Sequence, residues 1–310
     1  MTSVALIFPG QGAQFVGMGK EFFESSPEAR DIFDRAEAIV PDLKAVLFDG
    51  PAEKLTATAF CQPGIFTMSM AALAALKADP VFAQFEPCYA CGLSLGEYSA
   101  ICAAGALDFE DALKLVLTRG SLMEEATKQQ KGAMAAIIGF EKDELLKICA
   151  QTGAEVANFN SPEQIVITGE EAKVNAAADL IEAAGAKRVI PLDVSGAFHS
   201  SLMKSAADRF RDRLESVTLT APTFPVLSNV DAQPVTVTGH ILNNLAEQIT
   251  SSVQWVASIE AIAAHGVTTF LEIGPGNVLK GLVRRINRDL KVVNIQKPSD
   301  IEQLAAVAAG

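Results

Sequence analysis

The stretch Cys88–Ala104, CYACGLSLGEYSAICAA, places five residues of strand character, Cys88–Gly92, directly before a turn and a helical run from Leu95 to Ala104. At the junction, Gly92-Leu93-Ser94-Leu95-Gly96 has the form G-x-S-x-G. In a nucleophile elbow the strand enters a tight turn, the glycines make room for it, and the serine hydroxyl is lifted out at the end of the sheet. The same pentapeptide also arises by chance, with the serine as an ordinary cap of the following helix. The surrounding chain has to decide between these readings.

Outward from this junction, apolar runs of strand length recur at Val4–Phe8, Val226–Ser228, Thr268–Ile273 and Lys291–Ile295. Helical patterns lie between them, at Glu28–Ile39, Pro63–Ala78, Phe109–Lys128, Ser200–Glu215, Ile241–Thr250 and Val278–Asn287. Alternation of this kind predicts an α/β fold with a mostly parallel sheet and helices on both faces. Asp108 before Phe109-Glu110-Asp111 reads as a helix cap with acidic residues in the first turn, and His265-Gly266 as a helix stop.

The middle of the chain follows another rhythm. Strands at Ala133–Ile138, Glu155–Phe159, Gln164–Thr168 and Lys187–Leu192 alternate with helices at Lys142–Gln151 and Glu170–Ala184 in the order β-α-β-β-α-β. That order is the one of a small ferredoxin-like α+β domain. The expected organisation is therefore a large α/β-hydrolase-like domain, residues 1–131 and 196–310, with the smaller domain inserted at 132–195.

The 310 residues, 49% hydrophobic and 20% charged, are enough to bury a substantial core. A net charge of -12 opposes sequence-independent attraction to nucleic acid or to an anionic membrane. The opening VALIF runs straight into Pro9-Gly10 and reads as a core strand rather than a signal peptide, and Ile65–Leu76 falls short of a membrane span. No secretion is expected, which implies a cytoplasmic protein. Five cysteines point to thiols in a reducing compartment. Cys88 and Cys91 form a C-x-x-C, but a metal site needs further ligands and a redox pair needs a helix start between the thiols, so buried strand cysteines are the expectation.

A serine hydroxyl is a poor nucleophile at neutral pH and needs a base. Of the three histidines, His265 sits at a helix end and His240 at a helix start. His199, in SGAFHSSLM, lies where the chain returns from the inserted unit to the large domain and a cleft would open. Acyl transfer also needs N–H donors for an oxyanion: Leu95 follows the serine, and FPGQGAQ at Phe8–Gln14 supplies a second loop at a strand end. A dinucleotide-binding reading of that loop fails, because G-x-G-x-x-G would require glycine where Phe15 stands.

Taken in order, FPGQG at Phe8–Gly12, GLSLGEYSA at Gly92–Ala100, TRG at Thr118–Gly120, GAMAAIIG at Gly132–Gly139, NFNSPEQIVITG at Asn158–Gly169, GAFHS at Gly196–Ser200, SVQW at Ser252–Trp255 and EIGPG at Glu272–Gly276 resemble the malonyl-CoA:acyl carrier protein transacylases. The likeness to these acyltransferases of fatty acid and polyketide synthesis runs along essentially the whole chain. It implies that Ser94 takes malonyl from coenzyme A as an ester, that His199 is the base, and that the backbone carbonyl of Gln248 orients it. It further implies that Arg119 pairs with the malonyl carboxylate and that the N–H groups of Gln11 and Leu95 form the oxyanion hole. Gln62 and Asn160 match polar residues near the pocket, and Phe198 matches a residue narrowing the space near the acyl alpha-carbon. No bound cofactor is implied, with malonyl-CoA as donor and acyl carrier protein as transient partner. One departure is Leu93, where the bacterial enzymes commonly carry histidine.

The residue chemistry bears on the arginine independently, since Arg119 interrupts the apolar run LKLVLTRG and an inward guanidinium needs an anion. The cations Lys280, Arg284, Arg285 and Arg288 cluster near the last expected helix, either as a docking patch for an acidic carrier or as a solvated helix face. Two other functions remain open on the residues alone: a serine hydrolase with Asp193 as the acid of a triad, and a non-catalytic module that binds coenzyme A or a carrier.

Overall fold

The structure, a computed structural model, describes residues 1–194 and 196–308. Ser195, the expected C-terminal bound of the insertion, lies outside them. A six-stranded sheet is built from β1 (Thr2–Phe8), β2 (Phe85–Gly92), β7 (Val226–Leu227), β8 (Pro234–Val235), β9 (Thr269–Ile273) and β10 (Lys291–Ile295). Its order is β10-β9-β1-β2-β7-β8, parallel throughout except for the antiparallel edge pair β7–β8. The fold is thus α/β with a mixed sheet. Strand β1 is central, and its residues Val4–Phe8 are all buried, as an uninterrupted apolar run covered on both faces should be.

A second sheet comprises β3 (Gly132–Ile138), β4 (Glu155–Ser161), β5 (Gln164–Glu170) and β6 (Arg188–Pro191), in the order β4-β5-β3-β6 with every pair antiparallel. Side-chain alternation divides its two faces. Ala135, Ile137, Ile165 and Ile167 pack with Leu145, Cys149, Val174 and Ile181 of the helices Lys142–Thr152 and Glu171–Ala183, forming a core of their own. Met134, Ala136 and Val166 point the other way, toward the large sheet's side of the molecule. Val253 ties the second sheet to the first part of the fold: its N–H donates to Ala157 O at 2.8 Å and its carbonyl accepts from Phe159 N–H at 3.0 Å.

Two helices differ from expectation in ways that matter to the site. The first runs from Thr58, not Pro63, to Ala78, with the proline inside it. Its first turn, TAFCQ, carries no apolar period, and Pro63, sixth in the helix, leaves the Ala59 carbonyl without its usual i+4 donor. By length and composition this helix could cross a membrane, but 83% of its apolar window is buried within the fold, so its continuous hydrophobicity belongs to a core element. The second is Thr238–Gln248, which ends on Gln248 rather than continuing to Thr250. The carbonyls of a last helical turn have no intrahelical donors, so Gln248 O is available to a neighbour. The segment expected as a helix from Ser200 opens as a short 3₁₀ turn, Ser201–Met203, before the helix Lys204–Leu214.

Candidate active site

Strand β2 ends at Gly92 and the helix Gly96–Ala103 begins at once, which forces the backbone of Ser94 into the left-handed region at φ 53°. A β-carbon on Gly92 would stand 1.9 Å from the Gly96 carbonyl carbon, and one on Gly96 would stand 2.1 Å from Phe8 O. Close approach therefore demands both glycines. Asn229, just beyond β7, holds the turn: its Oδ1 accepts the Ser94 N–H at 2.7 Å and its Nδ2 donates to Gly92 O at 2.7 Å.

His199 approaches from the loop after the second sheet, with φ 59°. Strands β4 and β5 fasten that loop, because Thr168 Oγ1 donates to Phe198 O at 2.9 Å and the Glu155 carboxylate accepts from Ser201 N–H at 3.0 Å. The imidazole Nε2 lies 2.8 Å from Ser94 Oγ, and Nδ1 lies 2.8 Å from Gln248 O. A carbonyl can only accept, so Nδ1 carries the proton and Nε2 is left as the acceptor for the serine hydroxyl. Burial, reinforced by the Arg119 charge, lowers the His199 pKa to about 4, leaving the ring neutral and free to accept a proton near pH 7. No carboxylate touches this ring among the described residues; Asp193 lines a different cavity, with Glu124 and Lys128.

Arg119 is 1% exposed, in the helix Phe109–Gln129. Its Nη1 donates to Gln62 Oε1 at 2.9 Å, and its Nη2 to Ser94 Oγ at 2.9 Å and to Gln248 Oε1 at 3.1 Å. Gln62 belongs to the turn that precedes Pro63. All three acceptors are neutral, and burying a guanidinium against neutral acceptors costs several kcal/mol that an anion would offset. Its Nε has no partner among the described residues.

A cavity of about 200 Å³ opens over Ser94 and His199, between the two sheets; Gln11, Leu93, Asn160 and Met134 are among its walls. The backbone N–H groups of Gln11 and Leu95 have no acceptor among the described residues. The Asn160 Oδ1 is likewise buried without a donor. Arg119 stands behind Ser94 rather than in the cavity wall, and Phe198 packs into the large core instead of lining the cavity. His240 and His265 are exposed, the latter bonded to Ala261 O at 2.7 Å. Cys88 and Cys91 carry free thiols on β2, with Cys91 fully buried.

A hydroxyl on a base, a guanidinium against the same oxygen and two N–H groups without acceptors compose a site for moving an acyl group. The acyl transferase domain family matches residues 5–302. The chain belongs to that family. Among similar proteins, the malonyl CoA-acyl carrier protein transacylase of Bacillus subtilis is 44% identical over 308 residues, covering 97% of this chain and 96% of the relative. The crystal structure of an acyl-carrier-protein-S-malonyltransferase from Bartonella henselae superposes with a TM-score of 0.94 at 38% identity over the whole of both chains. A malonyl-transacylase solved in complex with its type II PKS acyl-carrier protein superposes at 0.92, with 36% identity over 99% of this chain and all of that one.

Two residues of this acyltransferase site were not evident in the sequence, Asn229 and Glu97. Asn229 follows the short strand β7, at the carboxyl edge of the sheet next to β2, which is where site residues gather in open α/β sheets. Glu97 reads as an acid favoured in a first helical turn. Its burial among the apolar residues of YSAICAA was the signal that a helix-end role could not explain. The cationic cluster divides: Arg284, Arg285 and Arg288 line a cavity of about 450 Å³ with Glu163, whereas Lys280 is not among its walls and its N–H bonds to Glu272.

Proposed function

We propose that this acyltransferase moves malonyl from malonyl-CoA to the phosphopantetheine thiol of acyl carrier protein, for fatty acid biosynthesis, through a malonyl ester on Ser94. His199 Nε2 takes the hydroxyl proton as Ser94 Oγ attacks the thioester carbonyl. The N–H groups of Gln11 and Leu95 receive the oxyanion. As the tetrahedral intermediate collapses, the C–S bond breaks and His199 returns the proton to the departing coenzyme A thiol. The second half runs in reverse: His199 deprotonates the carrier thiol, the thiolate attacks the ester, and Ser94 Oγ leaves with the proton. Gln248 O holds the ring and shares the imidazolium charge that forms in each half, as does the negative end of its helix. Side chains and backbone donors complete this chemistry without a bound cofactor.

The observation that carries the reading is Ser94 Oγ between His199 Nε2 and Arg119 Nη2, at 2.8 and 2.9 Å. An acyl group esterified there comes within reach of a buried guanidinium whose acceptors are all neutral, which favours an acyl chain ending in a carboxylate. A hydrolase reading has no such use for Arg119, and the Nδ1 contact is to a carbonyl rather than to the acid of a triad. Gln62 and Gln248 steer the guanidinium, while Asn160 and Leu93 line the approach. Phe198, next to His199 in sequence, is buried in the large core.

The antiparallel order β4-β5-β3-β6 supports reading residues 132–195 as an inserted ferredoxin-like domain within an α/β-hydrolase-like one, 1–131 and 196–310. A further cavity of about 380 Å³ shares Gln11, Leu93, Asn160 and Gln164 with the serine cavity and extends to Arg285. It makes a path from the arginine cluster to Ser94, suited to a phosphopantetheine arm with an acidic carrier docked at Arg284, Arg285 and Arg288; Lys280 adds charge on the same helix. A cytoplasmic location accords with these substrates. The test is a transfer assay with malonyl-, methylmalonyl- and acetyl-CoA as donors and holo acyl carrier protein as acceptor. Preferred transfer of malonyl supports the proposal, and ester hydrolysis outpacing thioester transfer refutes it.

A further inference from the structure

Glu97 is 3% exposed, in the first turn of the helix that follows Ser94, and plays no part in the proton transfers above. Its Oε2 accepts from Gln248 Nε2 at 2.5 Å and from the Asn229 N–H at 3.3 Å. Each of those partners touches the reacting groups. Gln248 Nε2 also donates to Ser94 O at 3.0 Å, Gln248 Oε1 accepts from Arg119 Nη2 at 3.1 Å, and Gln248 O accepts from His199 Nδ1 at 2.8 Å. Asn229 bonds both ends of the elbow, Ser94 N–H and Gly92 O.

A carboxamide can turn over and exchange its donor and acceptor ends. Here one end meets a guanidinium, which only donates. The other meets a carboxyl oxygen, which accepts. Arg119 and the Ser94 carbonyl set which way the amide faces, and Glu97 adds the second acceptor that holds Nε2 in place, and with it the Oε1 that Nη2 meets beside Ser94 Oγ. No other side chain among the described residues accepts from Gln248 Nε2. Without Glu97, that end of the amide and the Asn229 N–H would both lose a buried acceptor.

We propose that Glu97 is a positioning residue for malonyl transfer, holding through Gln248 and Asn229 the guanidinium that receives the acyl carboxylate and the elbow that presents the nucleophile. This rests on the transacylase reading of the site. What the site needs from position 97 is an acceptor of the right length. Glutamine supplies one, and methionine, of similar length, does not.

The experiment compares wild type, Glu97→Gln and Glu97→Met in malonyl and acetyl transfer at saturating donor, with thermal melts alongside. Glu97→Met is expected to lose about tenfold or more in kcat, the scale of losing a group that orients a reacting residue. Its acetyl-to-malonyl ratio should rise about fivefold as Arg119 is released, and Glu97→Gln should restore both to within about threefold of wild type. Should Glu97→Met fail to fold, Glu97→Asp replaces it, with the same rise in the ratio expected because the shortened carboxylate cannot reach both donors. A folded Glu97→Met with unchanged kcat and selectivity overturns the proposal. So does an equal loss in Glu97→Met and Glu97→Gln with selectivity unchanged, which is the mark of a merely structural acid. The wild-type control separates the two claims: no malonyl adduct on wild-type enzyme overturns the transacylase reading and this role with it, whereas an adduct with an indifferent Glu97→Met overturns the role alone.

Discussion

Ser94 and His199 stand 105 positions apart in the chain, both hold left-handed backbone conformations, and their side chains meet at 2.8 Å. Non-glycine residues at positive φ are strained, by about 1–3 kcal/mol each where the surroundings impose it. The surroundings here do impose it. Asn229 pins the first residue from the β2 end, while Thr168 and Glu155 pin the second from the smaller sheet. The two sheets thus spend packing and hydrogen bonds on bringing a hydroxyl and an imidazole together across a cleft.

Removing the Arg119 charge tests what selects the acyl group. Arg119→Ala should lower malonyl transfer about 10²–10³-fold, which corresponds to losing a buried charge-assisted contact of about 3–4 kcal/mol. Acetyl transfer should fall much less, since acetyl offers the guanidinium no carboxylate. Rates with both donors give the ratio directly, and an unchanged ratio would take specificity away from Arg119.

The pH profile follows from the buried imidazole. An ordinary histidine loses its base form below about pH 6.5. The folded pKa of His199 is depressed to about 4, chiefly by burial, so the proton binds less readily and the base form persists to lower pH. The acid limb of kcat/KM, which reports the free enzyme, should therefore fall near pH 4 rather than between 6 and 7. A limb centred at 6.5 would contradict the buried, neutral ring.

Asn229→Ala would strip partners from the Ser94 N–H and the Gly92 carbonyl together. Each buried group left unmatched costs about 1–3 kcal/mol, so a fall in stability of about 2–6 kcal/mol is expected, read as a lower midpoint in denaturant. Activity should fall further than stability, because the elbow loses its brace. Near-wild-type stability would mean that the turn holds itself.

Carrier docking is tested by charge reversal. Arg284→Glu combined with Arg288→Glu should raise KM for the carrier about tenfold or more and flatten its salt dependence, with kcat at saturating carrier little changed. If KM stays put, the arginine-lined cavity of about 450 Å³ is not where the carrier docks.

Much of this arrangement is legible in the sequence. G-x-S-x-G between a strand run and a helical run located the elbow, because close backbone approach leaves glycine alone at two positions. The β-α-β-β-α-β rhythm located the second sheet, because strand and helix periods differ. Gln248 as the partner of His199 came from family resemblance and not from chemistry, since a helix-ending carbonyl has no side-chain signature. Glu97 and Asn229 escaped notice for a related reason: a buried acid and an ordinary asparagine acquire meaning only from partners 151 and 135 positions away in the chain. The helix start at Thr58 is not legible because its opening residues Thr58–Phe60 carry no apolar stripe of their own and lie before a proline. Phe198, which is next to His199 in sequence and which family resemblance puts near the acyl group, is buried in the large core.

The most direct measurement is peptide mapping by mass spectrometry after brief mixing with malonyl-CoA in the absence of carrier. The account predicts one malonyl ester, on the peptide containing Ser94, that disappears when holo carrier is added and never forms in Ser94→Ala. A malonyl adduct of equal yield in Ser94→Ala, or transfer to carrier with no acylated serine, would contradict it.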